Sequence, residues 1–342
     1  MSIRIGINGF GRIGRLVYRA ALQHPEIEVV AVNASYPPET LLHMLRFDTI
    51  HGRFDAEMSV LPEGKGFRVN QSNVALSAER NPANIPWEKL EVDIVVEATG
   101  AFRTREAAEA HLQAGAAKVI LTAPAKSKDV TTIVMGVNES DYDPERDHVV
   151  SNASCTTNCL APVAKVLHEN FGIVSGFMTT VHSYTNDQRT VDNPHKDLRR
   201  ARTAAANIIP TTTGAAKAIG LVLPELAGRL DGISLRVPTP NVSIVDLSVM
   251  LEAKPDAESI NNALRNAAKG ELEGILDYNE LPLVSSDYVS DPHSSIVDGL
   301  STSVLPGGMS KVLAWYDNEM GYAHRVVDLA AMVGRSLPGG SR

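Results

Sequence analysis

Cysteine is nearly missing from this chain of 342 residues: only Cys155 and Cys159 are present. Two thiols cannot build a disulfide framework, and a helical i, i+4 pair stands side by side without bridging geometry. A structural zinc site needs four ligands, and no second cysteine pair exists to supply them. Nor do other residues cluster with metal-ligand spacing, so no metal is expected. No run of about 18 apolar residues occurs, which excludes a membrane-spanning helix. The opening MSIRIGINGFGRIGR lacks an apolar segment with a small-residue cleavage site, so the expected location is cytoplasmic. Positive charge is in deficit, with 32 Lys+Arg against 40 Asp+Glu and a net charge of −8. That balance disfavours a nucleic-acid partner or an anionic membrane surface. Gly (25) and Pro (19) are ordinary in number, which excludes collagen-like and low-complexity chains. No internal repeat is found.

What remains is a globular chain, 44% hydrophobic and long enough for roughly two domains. Its first half alternates β-rich runs with helical patterns. Ile3–Asn8, Glu28–Asn33, Asp93–Glu97, Lys118–Ala123, Thr131–Val137 and His148–Ser151 read as strands; Gly11–Leu22 and Arg105–Ala114 read as helices. Continuous β-branched runs such as EVVAVN suit parallel strands buried on both faces. The rhythm predicts a doubly wound α/β domain with right-handed crossovers. After about residue 153, longer runs suit an open, largely antiparallel sheet: Ile173–His182, Ile233–Pro238, Val242–Leu251 and Lys311–Asp317, with helices Cys155–Glu169 and Ala257–Ala268 between them. A polar, Arg-rich stretch between Ser183 and Ile208 has no sustained period, and a loop this long is more often functional or interfacial than merely solvated. A helix over Gly321–Ser336 closes the chain.

Gly9-Phe10-Gly11-Arg12-Ile13-Gly14 fits G-x-G-x-x-G between a predicted strand and a predicted helix. Gly9 permits the tight turn, Gly11 lets backbone approach a pyrophosphate, and Gly14 allows helix–strand packing. The helix start supplies free N–H groups and partial positive charge. Folds of this type that prefer NAD carry Asp or Glu at the end of the second strand, about 20 residues on. Here that end reads Asn33-Ala34-Ser35-Tyr36. Without a carboxylate, repulsion against a 2′-phosphate disappears, and Ala34 and Ser35 leave room for it. The strand end carries no arginine to clamp that group. These features point to NADP, with NAD also used.

Ser151–Cys159, SNASCTTNC, joins a strand to a helix. Cys155 lies at the helix start, where the dipole is expected to lower its pKa; Cys159 lies one turn in, without that advantage. A reactive cysteine needs a base, and His182 ends an apolar strand. With ten histidines, spacing alone does not select it.

INGFGRIGR, EATGAF, SNASCTTNCLAP, HSYTNDQ, HKDLRRAR, PTTTGAAKA, RVPTPNVS and WYDNEMGY, in this order over essentially the whole chain, resemble the phosphorylating glyceraldehyde-3-phosphate dehydrogenase family. The resemblance implies a Rossmann dinucleotide-binding domain over 1–153, with a helix over 320–342 packed on it. An α+β catalytic domain is implied over 154–319. The implied reaction is reversible oxidation of glyceraldehyde 3-phosphate with inorganic phosphate to an acyl phosphate, as in glycolysis and gluconeogenesis. Cys155 matches the nucleophile and His182 the general base. Gly9, Gly11, Arg12, Ile13, Gly14, Ala34, Ser35, Thr99, Gly100, Phe102, Thr122, Asn193, Asn318 and Tyr322 match cofactor contacts, Asn318 holding the nicotinamide carboxamide. Thr185 and Arg236 match the pocket for the substrate phosphate. Ser154, Thr156, Thr213, Gly214 and Arg200 match that for the attacking phosphate.

Simpler roles stand beside these. Any one of Arg199, Arg200 and Arg202 can be a solvated loop residue, and Thr213-Gly214 can simply start a helix. Ala34 departs from the aspartate of NAD-dependent members. Asn193 lies in a loop that approaches the adenosine ribose across a subunit boundary in the family. The overall pattern is similar to an NADP-accepting bacterial form, and a homotetramer is implied. LPLVSS and DPHSSIVDG also resemble erythrose-4-phosphate dehydrogenase, which the intact Thr185 and Thr211–Gly214 disfavour. A nucleotide-binding regulator with a dead site would lack Cys155, His182 or Asn318.

Overall fold

The computed structural model describes residues 2–337. They divide into two compact units, the first formed by the chain up to Ile133, Glu139–Ala153 and the chain from Ala323 onward, the second by Val134–Asn138 and Ser154–Tyr322. Residues 134–138 and 320–322 therefore belong with the second unit, unlike the division expected from sequence.

In the first unit, β1 (Ile3–Asn8), α1 (Arg12–Ala21), β2 (Ile27–Asn33) and α2 (Pro38–Arg46) lead into a two-stranded hairpin, β3 (Phe47–Asp48) and β4 (Gly52–Arg53). Then come β5 (Met58–Val60), β6 (Gly66–Val69), β7 (Ser72–Ser77), β8 (Ile94–Glu97), α3 (Arg105–Gln113), β9 (Lys118–Leu121), β10 (Thr131–Thr132) and β11 (Val149–Ser151). The nine-stranded sheet runs β10-β11-β9-β8-β1-β2-β7-β6-β5. It is parallel from β10 through β7 and antiparallel across β7-β6-β5. The apolar strands β8 and β9 are buried along their whole length, as parallel strands covered on both faces must be. Trp87, Val95, Val119, Leu121 and Val149 share one core cluster.

The expected strand over Thr131–Val137 shrinks to two residues. Gly136 turns into the left-handed region (φ +81°) and the Asn138 side chain accepts the Val134 N–H at 2.8 Å, so a turn replaces the ladder.

The second unit contains α4 (Cys155–Phe171), β12 (Ile173–Ser183), β13 (Ile209–Thr212), α5 (Ala215–Val222), β14 (Leu230–Val237), β15 (Ser243–Leu251), α6 (Ala257–Ala268), β16 (Leu276–Asn279), β17 (Ser295–Val304) and β18 (Met309–Tyr316). Its sheet runs β13-β14-β12-β15-β18-β17-β16, with β12/β14 and β16/β17 parallel and the other neighbours antiparallel. Along β15, residues alternate between fully and partly buried, the period-2 signature of a sheet with one covered face. α6 starts at Asp256, whose carboxylate accepts the Ser259 N–H at 2.8 Å. The polar stretch before β13 folds on itself. Asp192 accepts from the Thr203 N–H and hydroxyl and pairs with Arg202 at 2.9 Å. A final helix, α7 (Met320–Arg335), leads to the end of the described residues; positions 338–342 of the expected C-terminal helix lie outside them.

Candidate active site

In the first unit, the ends of β1 and β2 and the start of α1 border a crevice of about 580 Å³. Gly9 holds a left-handed φ of +93°, and a side chain on Gly14 would strike the Gly9 carbonyl oxygen. A Cβ on Gly11 would meet nothing within 4 Å. Gly11 also starts α1 with no side-chain cap, which leaves N–H groups at the helix start for an anion. A bare, positively polarised helix start beneath a glycine turn fits the pyrophosphate of a dinucleotide. Gly9, Gly11, Ala34, Ser35, Thr99 and Phe102 line the crevice. Arg12, Ile13, Gly14, Gly100 and Thr122 do not. Arg12 instead pairs with Asp48 at 3.0 Å, and the Thr122 hydroxyl donates to the Glu97 carbonyl at 3.0 Å.

Sequence reasoning missed Arg80. β2 ends beside β7, with Asn33 opposite Ser77, so the segment after β7 reaches the end of β2. Exposed Arg80 and Glu79 there line the crevice with Ala34 and Ser35. Only strand pairing reveals this guanidinium. Asn33 itself is fully engaged: its amide nitrogen donates to Asn8 and to the Glu79 carbonyl, and its oxygen accepts from the Ser77 hydroxyl and the Glu79 N–H, all at 2.8–2.9 Å.

The turn into α4 carries Ala153 in the left-handed region (φ +54°). Ser154 caps the helix, its hydroxyl accepting the Thr157 N–H at 3.0 Å. Cys155 is the first helical residue. Its Sγ stands 3.5 Å from His182 Nε2, near the end of β12. The other imidazole nitrogen, Nδ1, lies 2.7 Å from the Ser183 carbonyl oxygen and 2.7 Å from Arg236 Nη1 on the parallel neighbour β14.

Burial raises the Cys155 thiol above its ordinary value, opposed by the Arg236 guanidinium and by hydrogen bonding from Thr156. The expectation of a lowered thiol pKa at the helix start is therefore corrected: desolvation of the sulfur outweighs the favourable charges around it. His182 is pushed down to about 3, first by burial and then by Arg236. Cys159 is wholly buried against Ser295 and the Ala314 carbonyl, and burial pushes its thiol up to about 12. The Tyr316 hydroxyl bridges Thr156 (2.9 Å) and Thr180 (2.8 Å) behind the pair, its ring edge-on to His182.

Most of the remaining polar residues already have partners. The Ser154 hydroxyl caps α4 and that of Thr156 meets Tyr316, which leaves helix-start backbone as the donor. Thr213 accepts the Ala215 N–H at 3.2 Å, so Thr213-Gly214 does begin α5. Arg200 holds Thr211 through Nε (2.9 Å) and Nη2 (2.6 Å), pairs with Asp187, and lies 3.4 Å from Asp197. Arg199 and Lys217, rather than Arg200, line a second cavity of about 580 Å³ with Thr213. The backbone N–H of Thr185 donates to the Gln188 side chain at 3.0 Å. Asn318 is buried, its carbonyl oxygen accepting from the Ser183 (2.9 Å) and Ser243 (2.8 Å) hydroxyls. Asn193 is exposed on the polar loop and Tyr322 is buried. Among the described residues, no helix is long and apolar enough to cross a membrane.

Comparison with known proteins agrees with this arrangement. Residues 3–105 match the glyceraldehyde 3-phosphate dehydrogenase NAD-binding domain, and residues 154–318 match the C-terminal domain of the same family. Glyceraldehyde-3-phosphate dehydrogenase of Geobacillus stearothermophilus is 63% identical over 333 residues, 97% of this chain and 98% of the relative. Glyceraldehyde-3-phosphate dehydrogenases 2 and 1 of Bacillus subtilis are each 59% identical, over 96% of both chains and over 98% of this chain and 99% of the relative, respectively. On two domain matches and full-length identity, the chain belongs to the glyceraldehyde-3-phosphate dehydrogenase family.

Proposed function

We propose that this chain catalyses the reversible oxidation of glyceraldehyde 3-phosphate, with inorganic phosphate, to the corresponding acyl phosphate. The observation that carries this reading is the 3.5 Å approach of Cys155 Sγ to His182 Nε2 at the start of α4. His182 Nε2 takes the thiol proton as the sulfur adds to the aldehyde carbon, passes it to the new alkoxide, and takes it back from the carbinol hydroxyl when hydride leaves that carbon. Backbone N–H at the helix start stabilises the developing oxyanion. A bound nicotinamide supplies the hydride acceptor. An oxygen of inorganic phosphate then attacks the thioester carbonyl, the carbon–sulfur bond breaks, and the Cys155 thiolate leaves.

Arg236 and Thr185 are the proposed holders of the substrate phosphate. Ser154, Thr156, Thr213, Gly214 and Arg200 are those of the attacking phosphate, with Ser154 and Thr156 acting through backbone because their hydroxyls are engaged. Asn318 is proposed to hold the nicotinamide carboxamide through Nδ2, its oxygen being fixed by Ser183 and Ser243.

NADP is proposed as the preferred cofactor, with NAD also used. The absence of a carboxylate at Ala34 supports this, as do Ser35 and Arg80 on the same crevice. The proposed assembly is a homotetramer. Phe177 is 72% exposed on β12 and Ile233 is 51% exposed on the neighbouring β14, and apolar side chains of that size left in water mark contact surfaces.

Initial rates with glyceraldehyde 3-phosphate and erythrose 4-phosphate, each with both cofactors, test the assignment. The triose with NADP should give the highest kcat/KM; a higher value with the tetrose would overturn it.

A further inference from the structure

A chain of hydrogen-bonded side chains runs through the core of the first unit to its crevice. The Trp87 Nε1–H donates to His111 Nδ1 at 3.0 Å, and His111 Nε2 lies 3.1 Å from Glu97 Oε2. Asn8 Nδ2 donates to the same carboxylate oxygen at 2.5 Å, and Asn33 Nδ2 donates to Asn8 Oδ1 at 2.8 Å. The other Glu97 oxygen accepts the Thr99 N–H at 2.8 Å and the Thr99 hydroxyl. Asn33 then grips the backbone of Glu79 from both sides, donating to its carbonyl and accepting from its N–H, each at 2.8 Å. Trp87, His111, Glu97, Asn8 and Asn33 are all buried. The chain ends one residue from Arg80, on the wall of the crevice.

Its polarity is fixed from within. An indole N–H only donates, so His111 Nδ1 accepts and the ring proton sits on Nε2, facing Glu97. The two Glu97 oxygens meet four donors, the acceptor pattern of a carboxylate. Asn8 must therefore turn its nitrogen to Glu97 and its oxygen to Asn33. Facing that oxygen, Asn33 must turn its own nitrogen to Asn8, which is also the orientation that grips Glu79. A single amide could turn end over end, its two ends being nearly alike in shape. With Glu97 behind them, neither Asn8 nor Asn33 can do so without setting donor against donor or leaving a buried polar atom unpaired, which costs more than one hydrogen bond contributes.

Resting on the reading of Arg80 as a partner for the 2′-phosphate, we propose that Glu97 and His111 are positioning residues for cofactor choice, locking Asn33 in the orientation that holds the Glu79–Arg80 segment at the end of β2. Arg80 is exposed, so backbone anchoring at Glu79, rather than burial, sets where its guanidinium starts. The preference for a phosphorylated ribose is thus supported from the core, by residues that need not touch the dinucleotide.

The test is equilibrium binding of NADP and NAD, by calorimetry, to the full-length protein and its variants. Glu97→Gln keeps the shape but adds a donor, which frees Asn8 and Asn33 to turn over. His111→Phe keeps an aromatic ring edge-on to Phe102 and removes both hydrogen bonds. Each should lower the NADP-to-NAD affinity ratio about tenfold, the scale of one charged hydrogen bond. Neither should change the ratio further when added to Arg80→Ala. Ser77→Ala removes the hydroxyl that donates to Asn33 Oδ1 at 2.9 Å, at a partly exposed site. It should move the ratio the same way by about threefold, the scale of a neutral hydrogen bond, and does not require a buried substitution to fold. Equal weakening of both dinucleotides, or a lower Tm with the ratio unmoved, would make the network purely structural and overturn the proposal. So would a wild-type ratio in Ser77→Ala should neither buried variant fold. The underlying reading of Arg80 fails separately, if Arg80→Ala itself keeps the wild-type ratio.

Discussion

Placing a carboxylate at position 34 should shift the proposed NADP preference towards NAD. The Ala34 N–H donates to the Ser77 carbonyl at 2.9 Å, so the end of β2 is pinned to β7 and a new side chain there need not shift the backbone. Asn33 cannot serve in its place, because both ends of its amide are engaged. Ala34→Asp supplies an acceptor for ribose hydroxyls and a charge that opposes a 2′-phosphate. A hydrogen bond to a charged group is worth about 1.5–3 kcal/mol, so the ratio of kcat/KM for NADP over NAD should fall at least about tenfold. Arg80→Ala should lower the NADP value by a similar factor and leave that for NAD nearly unchanged. The two changes share one crevice, so their product need not be additive. Initial rates and equilibrium binding of each dinucleotide provide independent readings. The reasoning is refuted if the wild type prefers NAD, or if Arg80→Ala weakens both cofactors equally.

Three further outcomes follow from burial and packing. His182 falls from 6.5 to about 3 on folding, so the unfolded chain binds a proton that the folded chain refuses. Stability should therefore be complete above about pH 6.5 and decline as pH drops towards 3, by on the order of 2 kcal/mol at pH 5. Urea midpoints at the two pH values should show this dependence, and it should flatten in His182→Asn. Gly14→Ala should force α1 off β1, because its methyl meets the Gly9 carbonyl oxygen; a loss of about 1–3 kcal/mol together with lost dinucleotide binding is expected, and unchanged melting would contradict it. Light scattering should give a tetramer, weakened by Phe177→Glu, whereas an active monomer would remove the proposed assembly.

Legibility in the sequence followed burial. β1, β2, β8 and β9 are apolar runs covered on both faces, and their pattern survives any detail of pairing. β5, β6 and β7 are not legible, because exposed residues such as Ser59, Arg68 and Asn73 break the apolar signal. β17 is rich in Ser, Thr and Asp and hid for the same reason. Cys155 was visible as a helix-start cysteine from its local sequence, while His182 rested on resemblance, since only the pairing of β12 with β14 sets it beside Arg236. Arg80 and Tyr316 depend entirely on such pairing. The raised Cys155 thiol pKa is not legible, because a sequence displays the helix dipole but not the desolvation that opposes it.

The central claim is that Cys155 carries the acyl group, and intact-peptide mass spectrometry of a quenched single turnover tests it most directly. The enzyme is mixed with glyceraldehyde 3-phosphate and oxidised cofactor without inorganic phosphate, and the cysteine peptides are compared before and after phosphate is added. The account predicts a phosphoglyceryl thioester on Cys155 that phosphate discharges. An adduct on Cys159, or rapid cofactor reduction with no acylated cysteine, would contradict it.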